Sequence, residues 1–158
     1  MSRSALRGTW FMIAGIAPTA GHALVLDTNI VLDLLLFGDP STLALSEALS
    51  CGALVWHATL AMRDELQRVL GYPAMHAWMR GSDSDPAQLL ARFDRLSHVH
   101  PEVATGPPRC RDPDDQKFID LALVLQAMLL SKDRAVLRLR RPLAERGVTV
   151  ASVFRPAA

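Results

Sequence analysis

The sequence lacks most of the marks by which a functional class announces itself. Its 158 residues hold two cysteines, Cys51 and Cys110, in neither C-x-x-C nor metal-like spacing. That excludes a disulfide framework, and reduced thiols fit a cytoplasmic protein. No apolar run approaches the roughly 20 residues that a membrane helix needs. The nearest, Thr9 to Ala17 behind Arg3 and Arg7, has a faint look of a signal peptide, but no A-x-A cleavage site follows it. Residues 1–22 therefore read as an extension, either poorly ordered or an added strand, ahead of a domain at residues 23–158. Charge of one sign is scarce too: the net value is +1, which argues neither for nor against a nucleic-acid partner. There is no G-x-G-x-x-G, no P-loop and no G-x-S-x-G. Dinucleotide binding, P-loop phosphate chemistry and a serine nucleophile elbow are set aside.

What is present suffices for one folded domain. Half of the residues are hydrophobic and 21% are charged, the balance of a globular chain with a real core. The stretch Ala23-Leu24-Val25-Leu26-Asp27-Thr28-Asn29 organises the rest. Four apolar residues lead into an aspartate, and a helix-period pattern runs from Thr28 to Phe37. That is a buried strand delivering one carboxylate at its carboxyl end, where open α/β sheets bind ligands. Further strands are expected at Ala53–Trp56, Ser97–Val103, Met128–Ser131 and Val148–Ala151. Helices are expected at Ser41–Ser50, Thr59–Leu70, Met75–Met79, Ala87–Leu96 and Pro113–Ala127. The alternation implies an α/β fold with a mainly parallel sheet flanked by helices.

Acids recur where this architecture puts chemistry: Asp27, Glu65, the run Asp112-Pro113-Asp114-Asp115, and Asp133. Singly, each has an ordinary structural explanation as a helix cap, a macrodipole partner or a turn residue. Gathered at one sheet edge, they are the oxygen donors that a hard cation, Mg²⁺ or Mn²⁺, requires for phosphodiester hydrolysis. Without a cation, such crowding raises some of their pKa values. A haloacid-dehalogenase phosphatase is excluded, because Asn29 stands where its second aspartate belongs. The stretch holding Lys132, Arg134, Arg138, Arg140, Arg141 and Arg146 can hold phosphates or simply form a solvated face. His98-Val99-His100 puts two imidazoles on one strand face, but with no third ligand in view, solvated or hydrogen-bonded rings are expected. His22, His57 and His76 show no partners. Trp56, Trp78 and Phe93 are expected to pack the core or the helices rather than stack on bases.

Several of these segments together resemble a known family. Val25-Leu26-Asp27-Thr28-Asn29, the Glu65-Leu66 helix with Val69-Leu70, and Arg111-Asp112-Pro113-Asp114-Asp115 running to Ala122 are three of them. Leu129-Leu130-Ser131-Lys132-Asp133 and the ending Gly147-Val148-Thr149-Val150 to Phe154 complete the set. They resemble the PIN domain family, in its branch of toxin components of toxin–antitoxin systems, the VapC-like ribonucleases, over about residues 23–156. The resemblance implies a PIN-like three-layer sandwich and a metal-dependent endoribonuclease. It makes Asp27, Glu65, Asp115 and Asp133 the acidic quartet around Mg²⁺ or Mn²⁺, with Asp112 as a further candidate ligand. Thr28, Asn29 and Ser131 would position the carboxylates and waters. Apart from the resemblance, Arg63, Arg68 and Arg134 lie near these acids in sequence or in helix phase, and either contact the RNA backbone or form a solvated face.

The same resemblance implies hydrolysis of RNA by water in line with the leaving oxygen, with no side-chain nucleophile. It implies a cognate antitoxin and a second copy of the chain as partners, and no membrane. Two alternatives stay open: a PIN nuclease of RNA processing without an antitoxin, or an inactive PIN-like module that binds RNA or protein. The chain also departs from the branch. The connector Gln126-Ala127-Met128 lacks the usual glycine and is about one residue short, which would displace Asp133. The extension before Ala23 is unusual for the branch.

Overall fold

The computed structural model describes residues 21–156; nearly all of the expected N-terminal extension lies outside them. The first strand, β1 (His22–Leu26), is buried at four consecutive positions, so both faces of the sheet are covered there. Around it the sheet runs in the order β3-β2-β1-β4-β5, with every pair parallel. β2 is Leu54–Thr59, β3 Ser97–His100, β4 Met128–Leu130 and β5 Thr149–Ala151. The helices are α1 (Thr28–Leu32), α2 (Leu43–Ser50), α3 (Leu60–Leu70), α4 (Pro73–Gly81), α5 (Pro86–Leu96), α6 (Gln116–Leu125), α7 (Arg134–Leu137) and α8 (Arg140–Ala144). This is the expected parallel α/β sandwich, with β1 at its centre and the carboxyl ends of β1 and β4 side by side.

Boundaries moved where local signals were weak. β2 runs on to Thr59, whose hydroxyl caps α3, so the strand is longer at its carboxyl end than expected. β3 stops at His100 because Pro101 offers no ladder donor. The helix expected over Thr28–Phe37 changes pitch at Asp33 and closes as a π-helical turn, Asp33–Phe37, ended by left-handed Gly38. Pro113–Asp115 forms a 3₁₀ turn before α6 begins. Trp56 and Phe93 meet edge to face in the core, their ring centroids 4.9 Å apart. Trp78 is instead 55% exposed and packs one side on Phe37.

The connector without a glycine does not displace Asp133. Gln126 itself adopts the left-handed conformation (φ 52°, ψ 43°) that the missing glycine would take. Its amide compensates by donating to the Arg146 carbonyl at 2.6 Å. Gly147 makes room for that amide: a Cβ there would sit 2.1 Å from Gln126 Oε1, and its own φ is +83°. Gly147→Ala is expected to cost about 1–2 kcal/mol, through backbone strain and the lost amide bond. A urea midpoint equal to that of wild type would show that the connector does not rely on this packing.

The histidines also departed from expectation. His57, on β2, does have partners: its Nδ1 lies 2.9 Å from His100 Nε2, and its ring stacks beside those of His98 and His100. Burial, and then the charges of His100 and His98, push His57 down to about 4. A buried histidine held neutral supports the fold above its unfolded pKa of 6.5 and ceases to as pH falls toward 4. Acidification across that window is expected to remove up to about 3 kcal/mol. Urea melts of wild type and His57→Gln should converge as pH falls; parallel pH profiles would contradict the assignment.

Candidate active site

The carboxyl ends of β1 and β4 carry the acids, and their hydrogen bonds explain how. Asp27 follows β1 directly, and its backbone N–H donates to Leu130 O of β4 at 3.1 Å. The side chain then caps α1, with Oδ1 accepting from Ile30 N at 3.1 Å. Its other oxygen accepts from the hydroxyl of buried Ser131, on the neighbouring strand end. The same Ser131 Oγ accepts from the backbone N–H of Asp133 at 3.1 Å. One hydroxyl thus ties together two acids that are far apart in sequence. Asp133 caps α7 through Ala135 N at 2.8 Å.

Asp112 and Asp115 arrive from the third direction. Asp112 caps the 3₁₀ turn through Asp114 N at 3.0 Å, and the turn swings Asp115 inward at the start of α6. The approach loop is pinned by buried Gln116. Its Oε1 accepts from Cys110 N at 2.6 Å, and its Nε2 donates to Pro108 O and to Asp120 Oδ1. Gln116→Ala leaves these loop groups unpaired and is expected to cost about 2 kcal/mol. A drop in melting temperature together with weaker Mn²⁺ binding is the signature. Loss of stability with unchanged Mn²⁺ affinity would show that the loop does not place Asp112 and Asp115.

Carboxylate oxygens of Asp112, Asp115 and Asp133 all lie within 4.8 Å of one another. Asp115 Oδ2 is buried without a hydrogen-bond partner, one of two such side-chain atoms among the described residues. A buried, unpartnered oxygen on a carboxylate crowded by two others is costly unless something positive or a proton joins it. The cost appears in the acid itself. Burial first, then Asp133, Asp112 and Asp27, drive Asp115 up to about 7. Asp27 is raised as well, chiefly by burial, against the lowering effect of its bonds to Ser131 and Ile30.

Glu65 stands outside the three-acid cluster. One of its oxygens accepts from Thr28 Oγ1, and the other pairs with Lys117 Nζ at 2.8 Å. Lys117 also donates to the Asp114 carbonyl, which ties Glu65 to the turn that carries Asp115. Glu65 is therefore held by the residue next to Asp27 and by α6. Sequence reading missed Lys117, and no local signal marks it, because its partner lies on α3. Lys132 was read only as part of a basic stretch. Its Nζ lies 2.5 Å from Oδ2 of buried Asp33, fastening the loop before Asp133 to the π-helical turn.

The remaining expectations divide. Thr28 and Ser131 do bind carboxylates, whereas Asn29 is exposed and makes no side-chain hydrogen bond among the described residues. Position i+2 after the strand simply points outward on α1. Arg63 is engaged by Asp94 of α5, with both contacts under 3 Å. Arg68 is exposed, 4.0 Å from Glu65, and Arg134 is exposed beside Asp133.

A family model described as the PIN domain matches residues 23–135. The chain belongs to the PIN domain family. No curated protein gives a significant match. PIN domains are generally nucleases, and in this one the acids at the sheet edge form a cluster suited to a cation. The donor set fits such an ion: oxygens only, three carboxylates converging, and one buried oxygen otherwise unpartnered. Asp112, Asp115 and Asp133 would hold it, with Asp27 behind them. When bound, a divalent ion there supplies Lewis-acid stabilisation of charge on a phosphate. Ser131 keeps Asp27 and the Asp133 backbone in place, and Lys117 with Thr28 holds Glu65. Among the described residues no helix is long and apolar enough to cross a membrane.

Proposed function

We propose that this PIN domain is a Mg²⁺- or Mn²⁺-dependent endoribonuclease that hydrolyses RNA phosphodiester bonds. The observation that supports the reading most is Asp115: its buried, unpartnered carboxylate oxygen lies on an acid held among Asp112 and Asp133, where a cation would satisfy it. Asp27, Asp115 and Asp133 are the acids on which turnover depends, with Asp112 as an added ligand and Glu65 held by Thr28 and Lys117. Exposed Arg134, Arg138, Arg140, Arg141 and Arg146 follow the site in sequence and offer the RNA backbone its counter-charge. The biological setting is a cytoplasmic toxin with a cognate antitoxin, working as a homodimer, as the resemblance to the VapC-like branch implies.

The test is cleavage of single-stranded RNA with Mn²⁺ or Mg²⁺, against a chelated control and against Asp27→Asn. Metal-dependent cutting that Asp27→Asn removes supports the enzyme. Intact RNA across several substrates and both metals would leave an inactive binding module. The setting is tested separately, by growth arrest on expression and its relief by a neighbouring small reading frame. Cleavage without arrest would point to RNA processing instead.

A further inference from the structure

We infer that His57, His98 and His100 form a second metal site, built of imidazole and suited to a borderline divalent ion such as Zn²⁺. The parallel register sets His57 opposite His98 and Thr59 opposite His100. Because side chains alternate along a strand, all three imidazoles stand on one face of the β2–β3 pair. His57 Nδ1 and His100 Nε2 are 2.9 Å apart, with ring planes 22° from parallel. Two neutral imidazoles facing in this way share a single hydrogen, so one nitrogen presents a lone pair. If the donating ring takes that hydrogen on its other nitrogen, both facing nitrogens present lone pairs, and with a modest tilt of the rings they give two of the nitrogen ligands zinc needs at about 2.0–2.1 Å.

The third ligand is His98, which has to turn to reach the pair: among the described residues only the three acids already converge, but its ring centroid is 5.3 Å from that of His57 and the residue is exposed. The fourth position is left to solvent. Imidazole and carboxylate donors sort ions by softness, so this site and the acidic one would not compete for Mg²⁺. β3 is an edge strand; an ion here would clamp it to β2.

The experiment is calorimetric titration of Zn²⁺ into the full chain with Mg²⁺ in excess, comparing wild type, His98→Ala, His100→Gln and Asp115→Asn. One zinc per chain is expected, retained in Asp115→Asn and weakened roughly ten-fold or more in each histidine variant. The zinc-induced rise in melting temperature should disappear with it. His98 is exposed, so His98→Ala tests the site without threatening the core. Zinc binding lost in Asp115→Asn but kept in the histidine variants would assign the ion to the carboxylates and overturn the site. No zinc event in wild type would overturn it too. Cu²⁺ in place of Zn²⁺ should show electron-spin coupling to three nitrogens; coupling to one alone would contradict the proposal.

Discussion

Asp115→Asn is expected to lower metal-dependent RNA cleavage by about 10²–10³-fold while making the metal-free protein more stable. The two effects share one cause. Ionised Asp115 is held next to Asp112 and Asp133 with one oxygen buried and unpartnered, an arrangement that stores repulsion for a cation to relieve. Losing a ligand removes several kcal/mol of stabilisation for charge developing on phosphate, which is the stated rate loss. The amide carries no charge and can donate to either neighbouring carboxylate. In the absence of metal the gain at pH 8 is about 1–2 kcal/mol, discounted for partial exposure of the site. Thermal melts with and without Mn²⁺ check it: wild type should gain from the ion and the variant should not. A variant less stable than metal-free wild type would mean that Asp115 is a structural residue.

Metal affinity should rise with pH and level off near pH 7. Asp115 takes a proton at about 7 in the folded chain and at about 3.8 in the unfolded one. Folded protein therefore binds more protons between those values, and its metal-free stability falls as pH climbs through the window. An ion entering the cluster displaces that proton, so binding tightens about ten-fold per pH unit below 7 and little above it. Calorimetry in two buffers of different ionisation enthalpy would count one proton released per ion near pH 6. The melting-temperature gain from Mn²⁺ should likewise be larger at pH 8 than at pH 5.5. Affinity that is flat from pH 5.5 to 7.5 would refute the coupling of proton and ion at Asp115.

The sequence was most legible where neighbours along the chain decide the outcome. Four apolar residues ending in Asp27, then a capped helix, specify a buried parallel strand and its acid, and both are found. The run Asp112-Pro113-Asp114-Asp115 contains its own turn: Asp112 caps it and Pro113 opens it. Errors fell on details with long-range causes. The pitch change at Asp33 goes with an ion pair to Lys132, 99 positions later, and the missing glycine is supplied by Gln126 with help from Arg146. Arg63 looked available to a phosphate until α5 brought Asp94 to it.

By itself, then, the sequence determined that the chain is a parallel α/β domain and that its acids sit at strand ends and helix starts. Hydrophobic period, caps and turn residues act over a few positions, and they are written in the order of the residues. Only the tertiary structure decided which acids converge, that Glu65 is held apart by Thr28 and Lys117, and that His57 faces His98 and His100. Those outcomes depend on strand order and register, which place residues beside each other through crossovers and not through adjacency in the chain.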